Sequence, residues 1–148
     1  MTAPLITLKR GEIRIAATLI GKCESIDAEV LCDSGFTGDF AIPLEIATKI
    51  GLDKAGEGSV MLADGSVVNV PLFLGYAQLG DRKYEVVYLV LPHTKEIVAG
   101  LGVLSQYQIC FDVAASSVAI TESKKGKRKY EPALSASSVM KELLGEWV

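Results

Sequence analysis

The segment SIDAEVLC (25–32) alternates without a break: Ile26, Ala28 and Val30 fall on one side, Asp27 and Glu29 on the other. Successive side chains of a β-strand point to opposite faces, so only a strand buries one of these sets and wets the other. The same period recurs. EIRIAATLIG (12–21) sets Ile13, Ile15, Ala17 and Leu19 on one face, and the polar turn at Gly21-Lys22 predicts a hairpin between the two segments. GSVMLADGSVVNVPLFLGYAQL (58–79) carries Asp64-Gly65 between two apolar runs, a dipeptide suited to a tight hairpin turn. KYEVVYLVL (83–91) is a further strand bounded by LGDR and Pro92. EIVAGLGVLSQYQICFD (96–112) combines a buried strand, two glycines, a short helical turn and another strand; SSVAIT (116–121) is the last core strand. One segment changes period. In IPLEIATKIGL (42–52), Pro43 suits a helix's first turn, Leu44, Ala47 and Ile50, or Ile46 and Ile50, share a side, and Gly51 suits the stop. Short, closely spaced strands with one or two short helices predict an all-β fold, a compact barrel or sandwich.

A chain of 148 residues is the length of one domain. With 49% hydrophobic and 22% charged residues it has the composition of a globular protein rather than a disordered one. The net charge of −3 gives no reason to expect a polyanionic partner. Cys23, Cys32 and Cys110 are odd in number, widely spaced and set among apolar residues, which predicts reduced, packed thiols. No CxxC pair occurs and His93, in the loop LPHTKE, is the only histidine; this argues against zinc and against most Ser-His and Cys-His mechanisms. The N-terminus has no apolar h-region and no run approaches the roughly 18 apolar residues of a membrane span, so a cytoplasmic protein with no membrane partner is expected.

The character of the chain changes after residue 121, which divides it into a domain (1–121) and a tail (122–148). The basic run at 124–129 reads as a solvated linker rather than a nucleic-acid site, because one short cluster with a single neighbouring aromatic, Tyr130, is thin support. Ser137 or Ser138 suits an N-cap before Val139, Met140, Leu143, Leu144 and Trp147, a short amphipathic helix that packs on the core or on a partner.

The chemistry concentrates in LCDSGFTGDFAIP (31–43). An apolar strand delivers Asp33, and Gly35 allows close backbone approach. A lone Asp in a turn ordinarily bonds nearby amides. Here a second apolar strand ending in glycine, IVAG (97–100), lies downstream, with the glycine-tipped hairpin between them. The stretches LCDSGFTGDFAIP, LADGS, IVAGLGVL and CFDVAASSVAI together resemble the single-lobed aspartic proteases of the retropepsin-like type. They resemble in particular the small prokaryotic and archaeal ones whose motif runs Asp-Thr/Ser-Gly-Phe-x-Gly. The resemblance covers roughly residues 5–121.

The resemblance implies a barrel that forms a C2 homodimer. It implies that Asp33 is the catalytic aspartate, that Ser34 braces the two active-site loops across the dimer, and that Gly35 lets substrate backbone lie close. Val98, Ala99 and Gly100 correspond to the apolar pair plus glycine of the loop that crosses beneath the site. Leu62, Ala63, Asp64, Gly65 and Ser66 correspond to a flap over bound peptide, and Phe36 and Thr37 to substrate contacts. Only one such motif is present, so the second carboxylate of the pair is Asp33 of another copy. Two carboxyl groups in contact share one proton; the ionised member activates water and the protonated member donates to the oxyanion. This chemistry needs no metal and no cofactor. The expected function is a homodimeric aspartic endopeptidase acting on peptides or proteins. The alternative is a peptide-binding or assembly module on the same fold. The chain departs from viral members at Leu101-Gly102, where they carry a polar or charged pair, and in the position of Asp39, which comes later after the motif than their acidic residue.

Overall fold

The computed structural model describes residues 3–92 and 94–124; His93, the basic run beyond Lys124 and the expected C-terminal helix lie outside them. The alternating segments form the predicted hairpin. Strand β1 is Ile6–Lys9, β2 Glu12–Ile20 and β3 Ser25–Cys32, with β2 antiparallel to both of the others. Ile15, Leu19 and Val30 are fully buried, while Asp27 and Glu29 stay exposed, as the period requires. Burying such a side chain contributes about 1.5–3 kcal/mol, so the alternation fixes which face turns inward.

After the short strand β4 (Phe40–Ile42), helix α1 spans Leu44–Ile50. It starts at Pro43, whose fixed φ suits the entry, and stops at Gly51, whose φ of 73° gives the left-handed turn that a side chain disfavours. Ala47 and Ile50 are buried and Ile46 packs against the same cluster. Leu44, one of the alternatives for the buried stripe, instead points outward at 60% exposure. At about 100° per residue, a face centred on Ile46, Ala47 and Ile50 leaves Leu44 on the far side.

The long hairpin comes next as β5 (Asp53–Met61) and β6 (Val67–Leu79), and β7 (Arg82–Val90) returns against β6. β5 begins five residues before the expected strand, with an irregularity in register between Lys54 and Gly56. Beyond it lie β8 (Val98–Ala99), α2 (Leu101–Leu104), β9 (Tyr107–Asp112) and β10 (Ser117–Glu122).

Eight strands make one sheet in the order β1-β2-β3-β8-β4-β7-β6-β5, and β9 and β10 form a separate pair, with β10 beside β1. The large sheet also curls enough for Thr18–Ile20 of β2 to pair with Tyr76–Gln78 of β6. The all-β expectation with two short helices therefore holds among the described residues.

Two apolar clusters fill the interior. The larger is built around Ile15, Leu19, Phe40, Ile50, Tyr84 and Tyr88; the smaller joins Val70, Leu72, Val87 and Leu89. No helix of the described residues is long and apolar enough to cross a membrane.

Candidate active site

Strand β8 is only two residues long, yet it decides the site. It runs parallel to β3, with Leu31 opposite Val98 and Cys32 opposite Ala99, and antiparallel to β4, with Phe40 opposite Ala99. So β3 and β4, joined by the loop 33–39, flank a strand that arrives from more than fifty residues downstream. The loop must therefore pass over β8 to reach β4, and Asp33 stands where β3 gives way to it.

Backbone hydrogen bonds zip the two segments together. Leu31 N donates to Ile97 O (3.0 Å), Asp33 N to Ala99 O (2.9 Å), Gly100 N to Asp39 O (2.8 Å), Leu101 N to Phe36 O (2.7 Å) and Gly102 N to Gly38 O (3.0 Å). The fit at Gly100 leaves no room for a side chain: a Cβ there would lie 2.3 Å from Gly38 O and 2.6 Å from Phe36 O. Asp33, Ser34 and Gly35 are exposed at the turn of the loop. Gly35 N donates to Asp33 Oδ1 at 2.8 Å, which orients the carboxylate. The Ser34 hydroxyl has no hydrogen-bond partner among the described residues.

Of the residues the sequence singled out, the structure brings Asp33 against Ala99 and Phe36 against Gly100, with Val98 paired to Leu31 just before them, while Ser34 and Gly35 follow Asp33 at the exposed turn. Phe36 is half-buried; its ring lies against Gly100, and, like Val60 and Val68, it packs on the smaller apolar cluster. Those two valines pair with each other in the β5–β6 stems close to the tip, so the Asp33 loop and that hairpin share the smaller cluster. Thr37 is exposed. Leu62–Ser66 form the hairpin tip and are all exposed. Within the tip, Gly65 adopts φ 87°, and Asp64 Oδ1 accepts from both the amide and the hydroxyl of Ser66. These bonds, that from the Ser66 hydroxyl foremost, hold the Asp64 carboxyl below the usual carboxylate range. Asp64 is thus a turn-making residue committed to local amides.

Asp39 is the residue whose role the sequence did not reveal. It is fully buried, and its Oδ2 accepts from Val87 N at 3.0 Å. It ties the end of the loop to β7, while its own carbonyl receives Gly100 N. A Cβ on Gly102 would lie 2.4 Å from Asp39 Oδ1, which accounts for glycine at this position. The available signal was a carboxylate placed directly before the apolar run FAIP; a buried acid requires such a bond.

Arg14 supports the crossing from outside. Its guanidinium forks onto Glu96 (3.1 and 3.3 Å) and reaches Glu12 (3.2 Å), anchoring the segment that leads into β8. Hydrogen bonding to Arg14 holds the Glu96 carboxyl low.

Cys32, adjacent to Asp33, is partly buried, and burial pushes its thiol up to about 11. A thiol that stays protonated at neutral pH is a poor nucleophile. Iodoacetamide at pH 8 should therefore modify the exposed Cys23 and Cys110 well before Cys32, as read by peptide mass mapping; faster labelling of Cys32 would mean an activated thiol beside the aspartate. The described residues hold no group of three or more His, Cys, Asp or Glu suited to a metal ion.

No protein-family model matches the chain, and neither does any curated protein.

Proposed function

We propose that the chain is an aspartic endopeptidase that works as a C2 homodimer, with one Asp33 contributed by each copy. The observation that carries this reading is the crossing itself. Strand β3 leads into Asp33-Ser34-Gly35, and β8, followed by Gly100, inserts between β3 and β4 so tightly that Gly100 admits no side chain. Such a base holds a carboxylate in a fixed place at an exposed surface, the requirement for apposing it to a second one.

The single chain is incomplete for this chemistry, because the other acids of the candidate loops are committed elsewhere: Asp64 to Ser66, and the buried Asp39 to Val87 N. A symmetric pairing supplies the missing carboxylate. Ser34 presents an exposed hydroxyl for the partner's loop, and Leu101, 44% exposed directly after Gly100, offers it apolar surface. The paired acids share a proton, since two adjacent negative charges are costly. The ionised member takes a proton from water as that water attacks the peptide carbonyl, and the protonated member donates to the oxygen on which charge develops. An extended peptide would lie across Gly35, beneath the hairpin tip at Leu62–Ser66. A barrel closed through the β2–β6 pairing belongs to the same proposal.

The test is incubation with an unstructured protein from acidic to neutral pH, with cut sites mapped by mass spectrometry and the oligomeric state followed by sedimentation. Cleavage by a dimer, blocked by a statine-type transition-state mimic, is the expected result. A folded dimer that binds peptide and cuts nothing at any pH would instead make the chain a peptide-binding module.

A further inference from the structure

On the side of β2 and β3 that faces away from the core, an open groove of about 680 Å³ runs between the N-terminal segment and the β6–β7 turn. Its apolar wall is Pro4, Leu5 and Ala16, and its acids are Asp27, Glu29 and Asp81. No lysine or arginine lines it among the described residues. Leu5 is 78% exposed there, although its carbonyl is held by Ala16 N at 2.8 Å. A fixed backbone that presents a large apolar side chain to water, next to acids, is a surface suited to a basic and apolar cover.

The chain itself carries such a segment, and it leaves the described structure at the groove's edge. Strand β10 lies beside β1, the strand that Leu5 leads into. Its last residue, Glu122, pairs with Arg82 at 3.1 Å, and Arg82 comes directly after Asp81 of the groove. Ser123 N then donates to Gln106 O at 2.9 Å, which fixes the exit. Past that exit the sequence carries Lys125, Lys127, Arg128 and Lys129, then after a spacer Val139, Met140, Leu143, Leu144 and Trp147 at helical spacing. Fully extended, residues 125–129 reach about 16 Å, long enough to run along neighbouring strands.

We propose that this tail, residues 125–148, is the groove's occupant in its own chain. The basic run sits against Asp27, Glu29 and Asp81, and the apolar residues cover Leu5 and Ala16. Lys9 stands 3.7 Å from Glu29, but that pair is exposed on both sides and a denser run of cations displaces it at little cost. Asp27 accepts from Thr18 at 2.6 Å, which leaves its second oxygen for a cation. The docked tail covers the outer sheet face, distinct from the Asp33 loop, and the inference stands whether or not the chain cleaves peptides.

Trp147 is the only tryptophan, so its fluorescence in the full-length chain reports the tail alone. The expected emission is that of a buried indole, poorly quenched by acrylamide and unchanged on dilution. Asp27→Lys with Glu29→Lys should shift it to the red and raise quenching. Reversing the tail through Lys125→Glu, Lys127→Glu, Arg128→Glu and Lys129→Glu should do the same without touching the strands. Combining both sets should restore the buried emission, since the charges are complementary again. Circular dichroism checks that the strands persist in each variant. Solvent-like emission in the unsubstituted chain would overturn the proposal. So would indifference to the tail reversal, failure of the combined set to restore burial, or a dilution dependence that assigns the groove to a second copy's tail.

Discussion

Replacing Asp33 with asparagine is expected to abolish peptide-bond cleavage and leave the stability of the fold unchanged. Asparagine retains an oxygen at the place where Asp33 Oδ1 accepts from Gly35 N, so the turn keeps its bond. The side chain is exposed, so no desolvation cost changes on substitution. What disappears is the titratable pair that the proposed mechanism requires. An amide can neither take the proton from water nor share one with a neighbouring acid, and loss of general acid–base chemistry lowers rates by at least about 100-fold.

The proposed homodimer makes a sharper prediction. Random pairing of equal amounts of the two proteins leaves roughly one quarter of the dimers with both carboxylates. Activity in the equilibrated mixture should fall to about that fraction if each dimer needs two aspartates. A site complete within one chain would keep half. The measurement is the initial cleavage rate at constant total protein, after time for exchange. A value near one half, or a variant that still cuts at the unsubstituted rate, would remove Asp33 from its place in a shared catalytic pair.

Gly100→Ala is expected to destabilise the fold strongly. The added Cβ would meet Gly38 O at 2.3 Å, Phe36 Cδ2 at 2.5 Å and Phe36 O at 2.6 Å. Two of these are backbone atoms held by the bonds that zip the loop to β8, so they cannot turn aside as a side-chain end would. Overpacking costs about 1–3 kcal/mol where side chains can adjust, and a backbone clash belongs at or above the top of that range. For a domain of this size, about 3 kcal/mol lowers the melting temperature by roughly 6–12 °C.

Gly35→Ala is the matched control. Its Cβ would meet only Asp33 Oδ1, at 3.2 Å. The melting temperature should barely move, although the carboxylate must shift by a few tenths of an ångström. Calorimetry on both variants checks this. Equal stability for the two would mean that the crossing beneath Asp33 is looser than its geometry requires.

Much of this protein was written locally. The strand SIDAEVLC has the bounds its alternation predicts, the helix ends at Gly51, and the hairpin turns at Asp64-Gly65. These features depend on neighbours within a few residues, through side-chain alternation, a left-handed stop and an Asx turn, so the order of residues is enough to specify them. The position of Asp33 after an apolar strand was legible for the same reason.

Other features were decided only when distant segments met. Strand β4 is three residues long, and Phe40-Ala41-Ile42 has no period to read; it is a strand because β8 and β7 accept it on either side. Strand β8, two residues long, is defined by its place between β3 and β4. The burial of Asp39 depends on Val87, the need for glycine at 102 depends on Asp39, and the outward turn of Leu44 depends on which helical face met the core. Local periodicity assigns a face to each residue, and it carries no information about which strand will lie beside it. That choice is made by long-range packing and by the need to pair every buried backbone group, and here it tied the Asp33 backbone to Ala99, more than sixty residues away.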